Sequence, residues 1–139
     1  MVTLTTFKQG IINGLNITWE LTKVTVPVYI FITFLKYTPV LPWIADFCAP
    51  VMTLIGLPGE ASLALVMGYV LNLYAAIGAI LSLSLTPKQI TIIAGMLLLA
   101  HCLFIESIVA KKTGVRVAPL IFLRIVLSFL YGFTLNLVL

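Results

Sequence analysis

The sequence predicts an all-α, polytopic membrane protein: about five hydrophobic helical segments, an N-terminal amphipathic helix, and a re-entrant or broken helix. Composition, charge and the spacing of turn signals carry that prediction. Of 139 residues, 62% are hydrophobic and 9% charged, against roughly 45–50% and about 25% in soluble domains. A globule of this size buries only about two-thirds of its chain surface and needs polar residues to cover the rest. Eight Lys or Arg and four Asp or Glu cannot supply them, and mean hydropathy is +1.22. The solvent for most side chains is therefore lipid. That excludes a soluble monomer, a disordered region and a nucleic-acid binder. The net charge of +4 does not reverse this. Only Lys111, Lys112 and Arg116 stand close together, and cations at span ends are the usual membrane pattern.

Residues 5–24 are amphipathic. Phe7, Ile11, Leu15 and Trp19 recur every four residues, joined by Ile12, while Lys8, Asn13, Asn16, Glu20 and Lys23 fall largely elsewhere. This is the helix period, and such a helix suits the headgroup plane with Trp19 at the boundary. It runs into apolar residues 25–37, with Pro27 as an expected kink, so residues 6–37 read as one long bent helix. Thr38-Pro39 starts a break. Residues 40–55, interrupted by Asp46 and Pro50, cover about 24 Å if helical, which is marginal for a crossing. A re-entrant or tilted half-helix stands there beside a full span. Gly56-Leu57-Pro58-Gly59 is a turn signal. Residues 59–84 form a segment rich in small side chains. Thr86-Pro87 caps the next segment, 88–112, with Pro near its first turn. Lys111, Lys112 and Gly114 suit its C-terminus. Residues 116–138 form the last segment, with Arg124 inside it. No linker or repeat divides the chain, so residues 1–139 read as one membrane unit.

Cys48 and Cys102 both lie in apolar runs and read as small buried hydrophobes, without metal-type spacing. No cleavable signal peptide is expected, because residues 2–24 are too polar for an uninterrupted apolar core. If all five segments cross, Lys8, Lys23, Lys111, Lys112 and Arg116 share one side against Lys36 and Lys88, which places the N-terminus inside. If residues 40–67 re-enter instead, the count is four against three and favours the opposite orientation.

Four acids exist, Glu20, Asp46, Glu60 and Glu106. A charge at the bilayer centre costs roughly 2.5–3.5 kcal/mol on insertion scales, so an acid there needs a partner, a proton or a wet cavity. Glu20 reads as a solvated face and Asp46 as an interfacial or capping group. Glu60 opens the third segment, where it complements the helix dipole. Ala64, Gly68, Asn72, Ala76 and Ala79 follow it at steps of four, four, four, four and three. That stripe permits close helix packing, and Gly68-Tyr69-Val70-Leu71-Asn72 marks a break of the kind that exposes backbone at transporter sites. His101 and Glu106 sit about 140° apart on an undistorted helix and cannot both face one ligand. Arg124 either snorkels or pairs with an acid such as Glu106. The chain lacks HExxH, G-x-S-x-G and Walker patterns, so no enzyme, cofactor or metal centre is expected.

The run GLPGEASLALVMGYVLNLYAAIGAI (56–80), followed by AHCLFIESIVAKKTG (100–114), resembles the nucleoside recognition, or gate, domain. That family includes the spore maturation proteins A and B and small bacterial membrane proteins. Remote relatives lie within concentrative nucleoside transporters and the ferrous iron transporter B. The resemblance implies embedded helices with re-entrant or broken segments and a role in transport or gating at the inner (plasma) membrane. The chain is far shorter than the large transporters and can supply one of two related halves. A homodimer or higher oligomer, or pairing with a homologous small chain, is therefore expected. Glu60, Gly68, Asn72, His101 and Glu106 are the expected lining of a path for a small polar solute. Glu60 or Glu106 would hold a cation or proton, and Asn72 and His101 would hydrogen-bond the solute. The rival expectation is a non-transporting scaffold with the stripe as a dry helix interface.

Overall fold

The computed structural model describes residues 4–139, which form helices and short connections with no strand among them. Seven helices follow in order: α1 (Leu4–Lys36), α2 (Val40–Leu54), α3 (Ala61–Val70), α4 (Leu73–Ser82), α5 (Pro87–Ala100), α6 (Leu103–Lys112) and α7 (Val117–Val138). The expected punctuation sets several ends. Gly56 and Gly114 take the left-handed backbone, at φ +72° and +82°, which glycine adopts without steric cost. Thr86 caps α5 in a full capping box with Gln89, and Pro87 occupies the first turn. The two side-chain bonds satisfy donors that a helix start otherwise leaves open.

α1 remains one helix through Pro27. The sharp turn comes later, where α2 leaves α1 at 93°. By length and composition, two described stretches suffice to cross a membrane: Pro87–Lys112, which is α5 and α6 together, and Val117–Val138. The bent pair α1–α2 has the apolar length only when taken together, as a broken span or a re-entrant loop.

Residues 59–84 do not form one continuous segment. Two helices of ten residues, about 15 Å each, replace it, and each reaches only half the ~30 Å hydrocarbon core. They fold back on one another. A Cβ on Gly68 would stand 3.1 Å from the Ala76 Cβ, whereas eight residues along a straight helix span about 12 Å. Glu60, before α3, and Ser84, after α4, line the same cleft. Both open ends therefore lie at one end of the molecule, and the Leu71–Asn72 tip points inward. The small-residue stripe is not one outward face. Gly68 and Ala76 meet across the hairpin, and Ala64 and Ala79 are fully buried.

α1 runs beside α4. The Thr25 hydroxyl donates to the Tyr74 carbonyl at 3.5 Å, and a Cβ on Gly78 would meet the Thr25 carbonyl oxygen at 2.7 Å. α7 runs antiparallel to α5 and α6. Lys88 Nζ donates to the Asn136 carbonyl at one end, and Arg124 reaches Leu99 and Glu106 toward the other. Ile32, Ile92, Ile93, Met96 and Leu97 anchor the core between these layers.

Candidate functional site

The site begins with two interrupted helices. α3 ends at Val70, and Asn72 starts α4 from an extended backbone while its side-chain oxygen accepts from the Ala75 N–H at 2.9 Å. An Asn cap is favoured because its short side chain satisfies a first-turn donor. The other interruption separates α5 from α6. His101 is extended, and Cys102 takes φ +53°. A non-glycine residue there costs about 1–2 kcal/mol, so the surroundings must hold it.

One bond joins the two breaks. The Cys102 N–H donates to the Gly68 carbonyl at 3.0 Å, which brings the hairpin tip against the α5–α6 break. The tip is not sealed: Leu71 is 47% exposed, and Asn72, His101 and Cys102 are half-buried. In hydrocarbon, broken backbone is tolerated where protein buries it or a wet cavity borders it. This face therefore needs a covering partner or water.

The five expected lining residues do not converge. Gly68 is buried and belongs to the junction through its carbonyl. Asn72 and His101 flank the two breaks. The Asn72 oxygen serves as a helix cap, and His101 Nδ1 lies 3.1 Å from the Leu97 carbonyl. Glu60 stands at the far end of α3, in a cleft of about 530 Å3 shared with Asp46, Pro58 and Ser84. Glu106 is ion-paired with Arg124. The break removes the helical geometry that set His101 and Glu106 apart, yet Glu106 is held by α7. Among the described residues, no three His, Cys, Asp or Glu side chains group as a metal site. The hollow beside the tip is apolar, bounded by Val66, Tyr69, Leu103 and Ile121.

Two residues outside the expected set also shape the site. Arg124 Nε donates to the Leu99 carbonyl at 2.8 Å while the guanidinium pairs with Glu106. Ser128 is fully buried and donates to the Met96 carbonyl at 2.9 Å. Its one proton is thereby used, so Tyr69 donates to the Ser128 oxygen at 2.6 Å. An Arg inside an apolar run is a visible signal. A Ser ten residues before the end of α7 carries none.

Comparison with known proteins matches residues 18–116 to the family model described as nucleoside recognition (Gate). Over 132 residues the chain is 44% identical to the uncharacterized membrane protein YvoD of Bacillus subtilis (strain 168), covering 95% of this chain and 42% of that protein. Over 92 residues it is 35% identical to the inner membrane protein YjiG of Escherichia coli (strain K12), covering 63% of this chain and 60% of that protein. The chain thus spans two- to three-fifths of the length of these relatives. No solved structure matches it.

Proposed function

The chain belongs to the Gate (nucleoside recognition) family of membrane proteins, and from that premise we propose a non-enzymatic half-transporter that crosses the inner membrane several times. Two copies, or this chain and a homologous one, would enclose a path for a small polar solute or ion. One observation carries the reading: two helices are interrupted side by side, joined by the Cys102–Gly68 bond, with the tip open to whatever lies beyond this chain. Discontinuous helices place backbone donors and acceptors near the bilayer middle, where transporters bind their cargo. Asn72 and His101 stand at those ends, and the Asp46–Glu60 cleft forms the mouth from which the hairpin enters.

The test is a thermal-shift panel of nucleosides, divalent cations and small anions on purified protein, followed by uptake of any hit into proteoliposomes. Asn72→Ser is the informative variant. Serine still caps a helix but lacks the amide, so folding is kept while uptake falls about tenfold, the effect of losing a polar contact of ~1.4 kcal/mol. Unchanged uptake in Asn72→Ser removes the amide from the path.

A specific observation also favours the scaffold reading. The hollow beside the tip is apolar, and Asn72 and Glu106 already have internal partners. If no probe in the panel binds or moves, while crosslinking in native membranes gives a dimer, the chain is a membrane scaffold and the tip is its subunit contact.

A further inference from the structure

We infer that Arg124 is a positioning residue, a strap across the α5–α6 break, and that α6 is an arm hinged at Cys102. The polar ties of α6 are few. Breaking a helix leaves the last carbonyls of its first part without partners. The Leu99 carbonyl is in that last turn of α5, and Arg124 Nε donates to it at 2.8 Å. The same guanidinium pairs with Glu106, one turn into α6. One side chain on α7 thus grips both sides of the interruption, and the Cys102 N–H bond to Gly68 ties the hinge itself to the hairpin.

Beyond Leu103, which is buried, the described side chains of α6 are lightly held. Ile105, Ile108 and Val109 are each about three-fifths exposed, whereas α5 buries Ile92, Ile93, Met96 and Leu97. Segments with few buried apolar contacts open at lower cost than the core they join. The backbone at Cys102 is already in a sparsely populated conformation, a common feature of hinges and switch regions. Removing the Glu106 charge releases the strap on the α6 side, and removing the Arg124 guanidinium releases it on both sides of the break, so either change frees α6. Calling α6 a gate rests on the transport reading proposed above. The strap and hinge stand on geometry alone.

Cys102 reports directly on the hinge. Thiol modification requires thiolate and water, and Cys48, on α2, serves as an internal control within the same molecule. N-ethylmaleimide labelling of the full chain in native membranes, resolved by peptide mass, compares wild type with Glu106→Gln, Arg124→Gln and the double variant. Each single change is expected to speed Cys102 modification about tenfold while Cys48 stays within about twofold. The double is expected to be no faster than the faster single, as for one shared interaction. An unchanged Cys102 rate in both singles overturns the proposal. So does a parallel rise at both cysteines, which would mean general loosening, or effects that multiply in the double. Should Arg124→Gln fail to reach the membrane, Glu106→Gln decides alone. Labelling reads the hinge whether or not any solute moves, so this inference and the transport reading fail separately.

Discussion

At the scale of single residues, the glycines divide by what surrounds them. A Cβ on Gly59 would collide with the Ala45 carbonyl, whose carbon stands 2.6 Å away. That neighbour is backbone of α2 and cannot rotate aside. The close approach is what seats the start of the hairpin against α2, beside Asp46 and Glu60. Gly10 has nothing within 4 Å of its would-be Cβ and sits inside a helix. Gly59→Ala is therefore expected to destabilise by about 1–3 kcal/mol, the usual cost of overpacking. Gly10→Ala is expected to be neutral or to stabilise by about 0.5–1 kcal/mol, the helix-propensity difference. Unfolding midpoints of the purified variants in mild detergent check both. Equal effects at the two positions would mean that the Gly59–Ala45 approach constrains nothing.

At the scale of elements, α3, α5 and α7 are joined by one hydroxyl. Ser128 accepts from Tyr69 on α3 and donates to the Met96 carbonyl on α5. Ser128→Ala orphans the Tyr69 hydroxyl and should cost about 1–3 kcal/mol, whereas Tyr69→Phe with Ser128→Ala should cost less than the two single changes summed. A double-mutant cycle on unfolding midpoints measures this, and strict additivity would show the chain of bonds to be idle. This linkage was illegible in the sequence because it depends on how α7 lies along α5, a register set by Gly95 against Tyr131 and Gly132 against Met96. Other features were legible because their chemistry is local. Thr86-Pro87 announces a cap within four residues, and Asn72 in an apolar run announces a break. The fold-back of α3 on α4 lies between these cases. Small residues at steps of four give the same stripe on a straight helix as on two halves pressed together, and only the cap at Asn72 separates the outcomes. Arg124 was ambiguous for a similar reason. Its pairing with Glu106 requires the turn at Gly114 to bring α7 back along α6, and no spacing within one helix reveals that.

At the scale of the whole molecule, the hairpin decides the topology. α3 and α4 enter and leave at the same end, so they add no crossing. Lys36 and Lys88 then lie at the end that holds the Asp46–Glu60 cleft, by their places at the end of α1 and the start of α5. Lys8, Lys111, Lys112 and Arg116 lie toward the other end, while Lys23 sits near the middle of α1 and marks neither end. Without it the count is four against two, in the same direction as if all five segments crossed. Cytoplasmic loops carry the excess of Lys and Arg. The Lys112–Arg116 turn should therefore face the cytoplasm, and the acidic cleft should open to the opposite side. A fluorescent protein fused after Gly114 should light up, because it folds in the cytoplasm, and alkaline phosphatase fused after Leu139 should be active, because it matures outside. The reverse pattern at both positions would show that charge does not orient this chain. It would also turn the mouth of the hairpin, and the Asp46–Glu60 cleft with it, toward the cytoplasm.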